Sequence, residues 1–193
     1  MTAILKVDTI QDTSGNNIIN ENANTITIGK AGDTTNIVGT LQNDGAALVT
    51  GKILQVVSAV STTTVTVTGT TFTDSGLSAA ITPSSSSNKI LVLINQQFGI
   101  FSSSAETGAG YKLLRDSSTI YGGVQNYQLY IEATGNSAGV QLYFPANLNF
   151  LDSPSSTSSL TYKTQIRQYQ SGDTVRTQPD SMQSSITLME VAG

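Results

Sequence analysis

Short apolar pairs recur every ten residues across positions 1–51, with turn-forming residues between them, and no other feature constrains the fold as much. Ile18-Ile19 is followed, ten positions on each time, by Ile28-Gly29, Val38-Gly39 and Leu48-Val49. Ser14-Gly15-Asn16-Asn17, Asn22-Ala23-Asn24, Ala31-Gly32-Asp33 and Asn43-Asp44-Gly45 punctuate them. Each unit offers a few apolar side chains and one tight turn, too little to bury a core alone. Such a segment gains stability by stacking on itself or by winding against identical chains. Thr25-Ile26-Thr27-Ile28 and Ile37-Val38-Gly39-Thr40-Leu41 alternate within it as β-strands do. Residues 4–12 open with a strand of their own, Leu5 and Val7 on one side and Lys6 and Asp8 on the other. This is the pattern of a stalk in an assembly and not of an enzyme.

A chain of 193 residues has room for one ordinary core plus an accessory segment. From Lys52 the pattern shifts to longer strands, so Gly51 reads as the joint between a stalk over 1–51 and a domain over 52–193. Candidate strands are Ile53–Val60, Thr64–Thr68, Leu77–Thr82, Lys89–Phe101, Gly110–Arg115 and Thr119–Val124. Later ones are Leu129–Glu132, Val140–Phe144, Leu160–Tyr169 and Ser184–Val191. Thr64-Val65-Thr66-Val67-Thr68 alternates strictly, which turns both valines inward. Ser84-Ser85-Ser86-Ser87-Asn88 and Ser153-Pro154-Ser155-Ser156 read as loops. No segment carries a capped amphipathic helical period. The expectation is an all-β chain, a repeat-built stalk followed by a jelly-roll-like β-sandwich.

Charged residues make up 11% of the chain, and Ser and Thr fill the gap with about a quarter of all positions. Edges of such strands carry few charged gatekeepers, so a closed oligomer is expected to hide them. With 9 basic against 13 acidic residues and no basic cluster, nucleic acid is not an expected partner. Ile90-Leu91-Val92-Leu93-Ile94 is far short of a membrane span, so membrane insertion is not expected either. The opening residues lack the apolar stretch and processing site of a secretory signal.

The chain has no histidine and no cysteine, which removes the commonest general base, thiol nucleophiles and thiolate metal sites. The lysines read as solvated or strand-edge residues. Asp74, Glu106, Asp116, Glu132, Asp152, Asp173, Asp180 and Glu190 could supply a carboxylate pair for glycan hydrolysis. Most lie beside Gly, Ser or Pro, where Asp shapes turns, and turns are the preferred reading. Glu21, Asp33 and Asp44 lack the spacing of a calcium loop. No catalytic residue, cofactor or metal ligand is therefore expected. What remains is the segment from Tyr121 to Tyr130, where Tyr121, Asn126, Tyr127 and Tyr130 are the candidate receptor-binding residues. Tyrosine gives rigid contact area with a hydroxyl handle, and Asn matches sugar hydroxyls. The same tyrosines would equally serve as packing in the sandwich or at a subunit interface, and that reading is preferred.

Ile4-Leu5-Lys6-Val7-Asp8-Thr9-Ile10-Gln11-Asp12-Thr13-Ser14-Gly15-Asn16-Asn17, followed by Thr25-Ile26-Thr27-Ile28-Gly29, resembles the N-terminal region of fibre-like structural proteins of marine tailed bacteriophages, notably those of cyanobacterial hosts. Pro83-Ser84-Ser85-Ser86-Ser87-Asn88-Lys89-Ile90-Leu91-Val92 and Ile186-Thr187-Leu188-Met189-Glu190 resemble the distal domain of that group. The resemblance implies a non-enzymatic virion protein, a homotrimer on the particle exterior. Its N-terminal segment would attach to other virion proteins of tail or capsid, and its β domain would face a host glycan or protein. The stalk is short for a long tail fibre, so a compact tip, an adaptor or a head fibre all fit. A capsid decoration or cement protein without a host-binding role is the alternative. A glycan depolymerase and a bacterial adhesin module are further ones.

Overall fold

The computed structural model describes residues 52–104, 106–122, 127–132 and 139–193, with the backbone of Gln42–Asn43 and Ala46–Ala47. The chain divides into two units, Met1–Val49 and Thr50–Gly193. In the first, β1 (Gln42–Asn43) and β2 (Ala46–Ala47) pair antiparallel, Gln42 opposite Ala47 and Asn43 opposite Ala46. Asp44-Gly45 falls between them in sequence, a dipeptide that two-residue hairpin loops favour. The rest of the stalk pattern, with Glu21, Asp33 and Asp44, lies outside the described residues.

The second unit is built from two antiparallel sheets. The six-stranded sheet runs β3 (Ile53–Ser61), β13 (Ser184–Val191), β6 (Lys89–Ser102), β12 (Thr174–Thr177), β4 (Val65–Val67), with β10 (Val140–Asp152) on the other side of β6. The five-stranded sheet runs β5 (Thr73–Ile81), β11 (Leu160–Gln168), β7 (Glu106–Arg115), β8 (Ser118–Gly122), with β9 (Leu129–Glu132) also on β7. β12 and β13 both pair with β6, at successive stretches, so they are one strand interrupted by residues 178–183. β3 with β4, and β8 with β9, are interrupted in the same way. Counted so, eight strands form two four-stranded sheets, ordered first-eighth-third-sixth and second-seventh-fourth-fifth. That order is the jelly roll, and the expected fold class holds.

Side-chain alternation explains why these segments pair as they do. β11 turns Leu160, Tyr162, Thr164, Ile166 and Gln168 inward, and β13 turns in Ser184, Ile186, Leu188 and Glu190. Ile90, Val92, Phe98, Ile100, Ile186 and Leu188 are fully sequestered, each contributing roughly 1.5–3 kcal/mol of transfer free energy. Phe98 packs edge-on to Tyr111 across the layers at 5.4 Å and stacks on Phe144 at 5.7 Å. Val67 is buried and Val65 half-buried while Thr66 is exposed, as the alternation predicts. Four features go beyond the expected strands: β12 is additional, β10 continues through Pro145 to Asp152, and β5 and β7 begin earlier, at Thr73 and Glu106.

Polar side chains also cross the core. Thr164 on β11 donates to Gln96 Oε1 on β6 at 2.7 Å, and its hydroxyl also bonds that of Ser75 on β5. Thr177 on β12 donates to the Ser75 carbonyl at 2.8 Å, so the two sheets are tied by hydrogen bonds as well as by packing.

Register fixes the two ends of the sandwich. At the near end Lys89 opposes Val191, Ile90 opposes Asp152, and the N–H of Ala192 donates to the Lys52 carbonyl at 3.0 Å. At the far end Ser102 opposes Val140, Phe101 opposes Thr174 and Glu106 opposes Glu132. The 14 residues of β6 join them, about 45 Å at ~3.3 Å per residue. The polypeptide therefore enters this unit at the near end.

Candidate functional site

Three tyrosines meet at the far end. Tyr127 and Tyr130 lie 4.9 Å apart between ring centroids, and Tyr169 meets them edge-on at 5.2 and 5.5 Å. Tyr127 and Tyr130 are each 39% exposed, so their rings line the surface and not the core. The backbone places them. β7 lies between β9 and β11, with Gly108 opposite Tyr130 on one side and the N–H of Tyr169 donating to the Gly108 carbonyl on the other. A side chain at Gly108 would begin 2.5 Å from the Leu129 carbonyl oxygen and 3.3–3.4 Å from the Cβ atoms of Tyr169 and Tyr127. The rings close over the space that glycine leaves. Gln128, between the first two, is pinned by its N–H to Ala109 at 3.0 Å and by its side-chain oxygen, which accepts from the Tyr111 N–H at 2.6 Å.

Glu106 and Glu132 flank the cluster, facing each other across β7 and β9. Desolvation, then the charges of Glu106 and Glu132, raise the Tyr130 hydroxyl pKa, so it stays a neutral donor and acceptor at neutral pH. Gln170 reaches back to the Glu106 carbonyl at 2.7 Å. An aromatic surface with hydroxyl, amide and carboxylate groups at its rim suits polar ligands that carry an apolar face, sugars among them.

At the same end of the sandwich a cleft of about 470 Å³ opens between the ends of β6, β10 and β12, lined by Phe101, Ser102, Ser103, Gln141 and Thr174 with Gly139, Val140 and Gly172. Its lining is uncharged. On the Phe101 ring the Arg176 guanidinium sits 4.6 Å from the centroid, and Tyr143 packs against the same ring edge-on at 5.6 Å. Asp173, between two lining residues, is buried, and its Oδ2 has no hydrogen-bond partner among the described residues.

The four sequence candidates separate. Tyr127 and Tyr130 belong to the cluster. Tyr121 is 42% exposed but packs edge-on to Phe150 at 6.1 Å, away from the other two. Asn126 lies outside the described residues. Tyr169 completes the cluster, and sequence reasoning missed it because it sits on β11's exit, joined to the others only through β7.

The carboxylates also divide. Asp116 and Asp180 hold left-handed turn conformations, with φ of 54° and 52°, as the turn reading expects. Asp152 and Glu190 correct that reading, since both are buried among donors. Asp152 accepts from Arg115 and Tyr162, and Glu190 accepts from Ser84, Asn88 and Gln55. Among the described residues no group of three His, Cys, Asp or Glu side chains could hold a metal ion.

No protein-family model and no curated protein matches the chain. Among solved structures it is similar to the structure of infectious bursal disease virus Gx strain, with 12% identity and a TM-score of 0.38. That match covers 88% of this chain and 40% of the other. It is also similar to the infectious bursal disease virus VP2 subviral particle, with 11% identity, a TM-score of 0.36, and coverage of 84% and 44%. The chain thus spans less than half the length of these proteins.

Proposed function

We propose that this chain is a non-enzymatic virion structural protein, a fibre or fibre-tip subunit of a tailed bacteriophage. Residues 1–51 dock to the particle, and the sandwich over 52–193 presents its far end to the host surface. The observation that carries this reading is polarity: the polypeptide enters the sandwich at Lys52, and the exposed tyrosine cluster lies at the opposite end. The resemblance of both halves to fibre-like proteins of marine phages supports it. A homotrimer would hold three such ends on one mount, so that weak single contacts with a surface glycan or protein sum to firm attachment.

The test is retention of fluorescently labelled full chain on a panel of cyanobacterial strains. Binding to a subset of strains, lost in the Tyr127→Ala/Tyr130→Ala/Tyr169→Ala triple variant, is the expected result. Retention on tailless capsids with none on cells would replace the fibre with a decoration protein. Reducing ends released from host polysaccharide, and abolished by Glu132→Gln, would replace attachment with cleavage at the Glu106–Glu132 pair.

A further inference from the structure

The two outward faces of the sandwich differ in chemistry. On the five-stranded sheet the outward side carries Asp74, Lys112, Lys163 and Arg167, with Lys163 paired to Asp74 at 2.8 Å and Lys112 lying 4.4 Å from the Phe72 ring centroid. This is a solvated surface. On the other sheet, the outward positions of β3, β13, β6 and β10 hold one charged side chain, Lys89, at the near end, and β12 adds Arg176 at the far end, over the Phe101 ring.

In place of charge there is an apolar row. Val56 opposes Met189, Met189 opposes Leu91, and Leu91 opposes Leu151, so four strands are crossed from edge to edge without a polar residue. Val56 is 55% exposed and Leu151 51%, while Ile53 and Val60 on the same edge strand reach 54% and 60%. The sequence carries the same signal. Ile90-Leu91-Val92-Leu93-Ile94 is apolar at every position, which is the pattern of a strand covered on both faces. β3 adds an unguarded edge: nine residues with no charge and no proline.

We propose that this face packs against a second copy of this chain. The inference deepens the trimer reading above by naming its contact, and it rests on that reading. Charge decides the occupant. Around a three-fold axis the same face of each copy is brought toward its equivalents, so a charged face would repel itself, whereas this one has almost nothing to repel. A strongly charged partner would find no complement here. Four strands and nine residues of β3 span about 20 by 30 Å, comparable to the roughly 800 Å² per partner of a stable interface. Within that span Ser58, Thr187, Asn149 and Asn95 add polar positions toward the far end.

The experiment is native mass by light scattering on the full chain at micromolar concentration, for the natural sequence and for Val56→Glu, Leu151→Glu and Ser78→Glu. Ser78 points outward from the opposite sheet and serves as the control. The expected result is a three-chain mass that falls to one chain in the first two variants, with unchanged circular dichroism, and stays at three in Ser78→Glu. Folded Val56→Glu and Leu151→Glu proteins that keep the full mass would overturn this contact while leaving the trimer intact. A natural chain that is itself monomeric would overturn both. Because the chain has no cysteine, a single spin label at Thr187→Cys gives an independent reading. Packing of this face about a three-fold axis brings labels on neighbouring copies within about 30 Å, and distances well beyond that would overturn the contact.

Discussion

The hydroxyl of Tyr162 donates to Asp152 Oδ2 across 2.7 Å, from one sheet of the sandwich to the other. Arg115 donates to the same oxygen, also at 2.7 Å, so one carboxylate of β10 is clamped by β7 and β11 together. Desolvation, helped by the bond to Asp152, raises the Tyr162 hydroxyl pKa far above its ordinary value, which favours the protonated donor. Tyr162→Phe removes one hydrogen bond to a charged group and keeps the ring, for an expected loss of about 1.5–3 kcal/mol. Asp152→Ala strips both donors and leaves Arg115 without its counter-charge, so it should cost more than Tyr162→Phe. Urea denaturation of the two variants checks the order.

Glu190 predicts an acid sensitivity of defined sign. Burial alone would raise its pKa, but hydrogen bonds from Asn88, Gln55 and Ser84 outweigh that and lower it from 4.5 to about 2. A carboxylate with a folded pKa below its unfolded value stabilises the fold above the unfolded value. That contribution fades as pH falls toward the folded one. Glu190→Gln, which also turns an amide toward the Asn88 and Gln55 donors, should therefore be less stable than the natural chain at pH 7. The gap should close between about pH 4.5 and about pH 2. A gap that stays constant through that window would mean that Glu190 acts by shape and not by charge.

The buried polar bridge gives a coupled prediction. Gln96 and Thr164 are fully sequestered, and Thr164 supplies the donor for Gln96 Oε1. Thr164→Val strands that oxygen, at an expected cost of about 1–3 kcal/mol. Adding Gln96→Leu removes the stranded group, so the double variant should be more stable than the sum of the single losses implies, by roughly 1 kcal/mol. Strict additivity in a double-mutant cycle would show that the two side chains are energetically independent.

Much of this architecture was legible in the chain, and the misses share a cause. Leu129–Glu132 and Ser184–Val191 were delimited correctly because apolar alternation and turn residues agree there. The sequence pattern ends β10 at Phe144 because Pro145 reads as a strand breaker, and it starts β5 and β7 late because Thr73–Gly76 and Glu106–Ala109 lack apolar alternation. Pro145 is tolerated because β10 pairs only with β6, and an edge strand can lose a ladder donor. β12 escaped because Thr174-Val175-Arg176-Thr177 has one apolar residue, and its pairing with both β4 and β6 makes it a strand. The candidate site behaves alike. Tyr127 and Tyr130 stand out in a polar aromatic segment, while Tyr169 joins them through strand pairings that no local pattern encodes.

Gly108 gives a test of the tyrosine cluster that needs no ligand. Its Cβ position lies 2.5 Å from backbone oxygen, which cannot rotate aside, so Gly108→Ala must push β9 away from β7. Tyr127 and Tyr130 travel with β9 and Tyr169 stays with β11, so the rings should separate. The chain has seven tyrosines and no tryptophan, so its near-ultraviolet circular dichroism comes largely from tyrosine packing. Gly108→Ala should weaken that signal and lower stability by about 1–3 kcal/mol. The far-ultraviolet sheet signal should persist, because the core rows of β6, β11 and β13 are untouched. An unchanged near-ultraviolet spectrum would mean that β9 is loosely held on β7. The three rings would then form no fixed surface for a ligand to recognise.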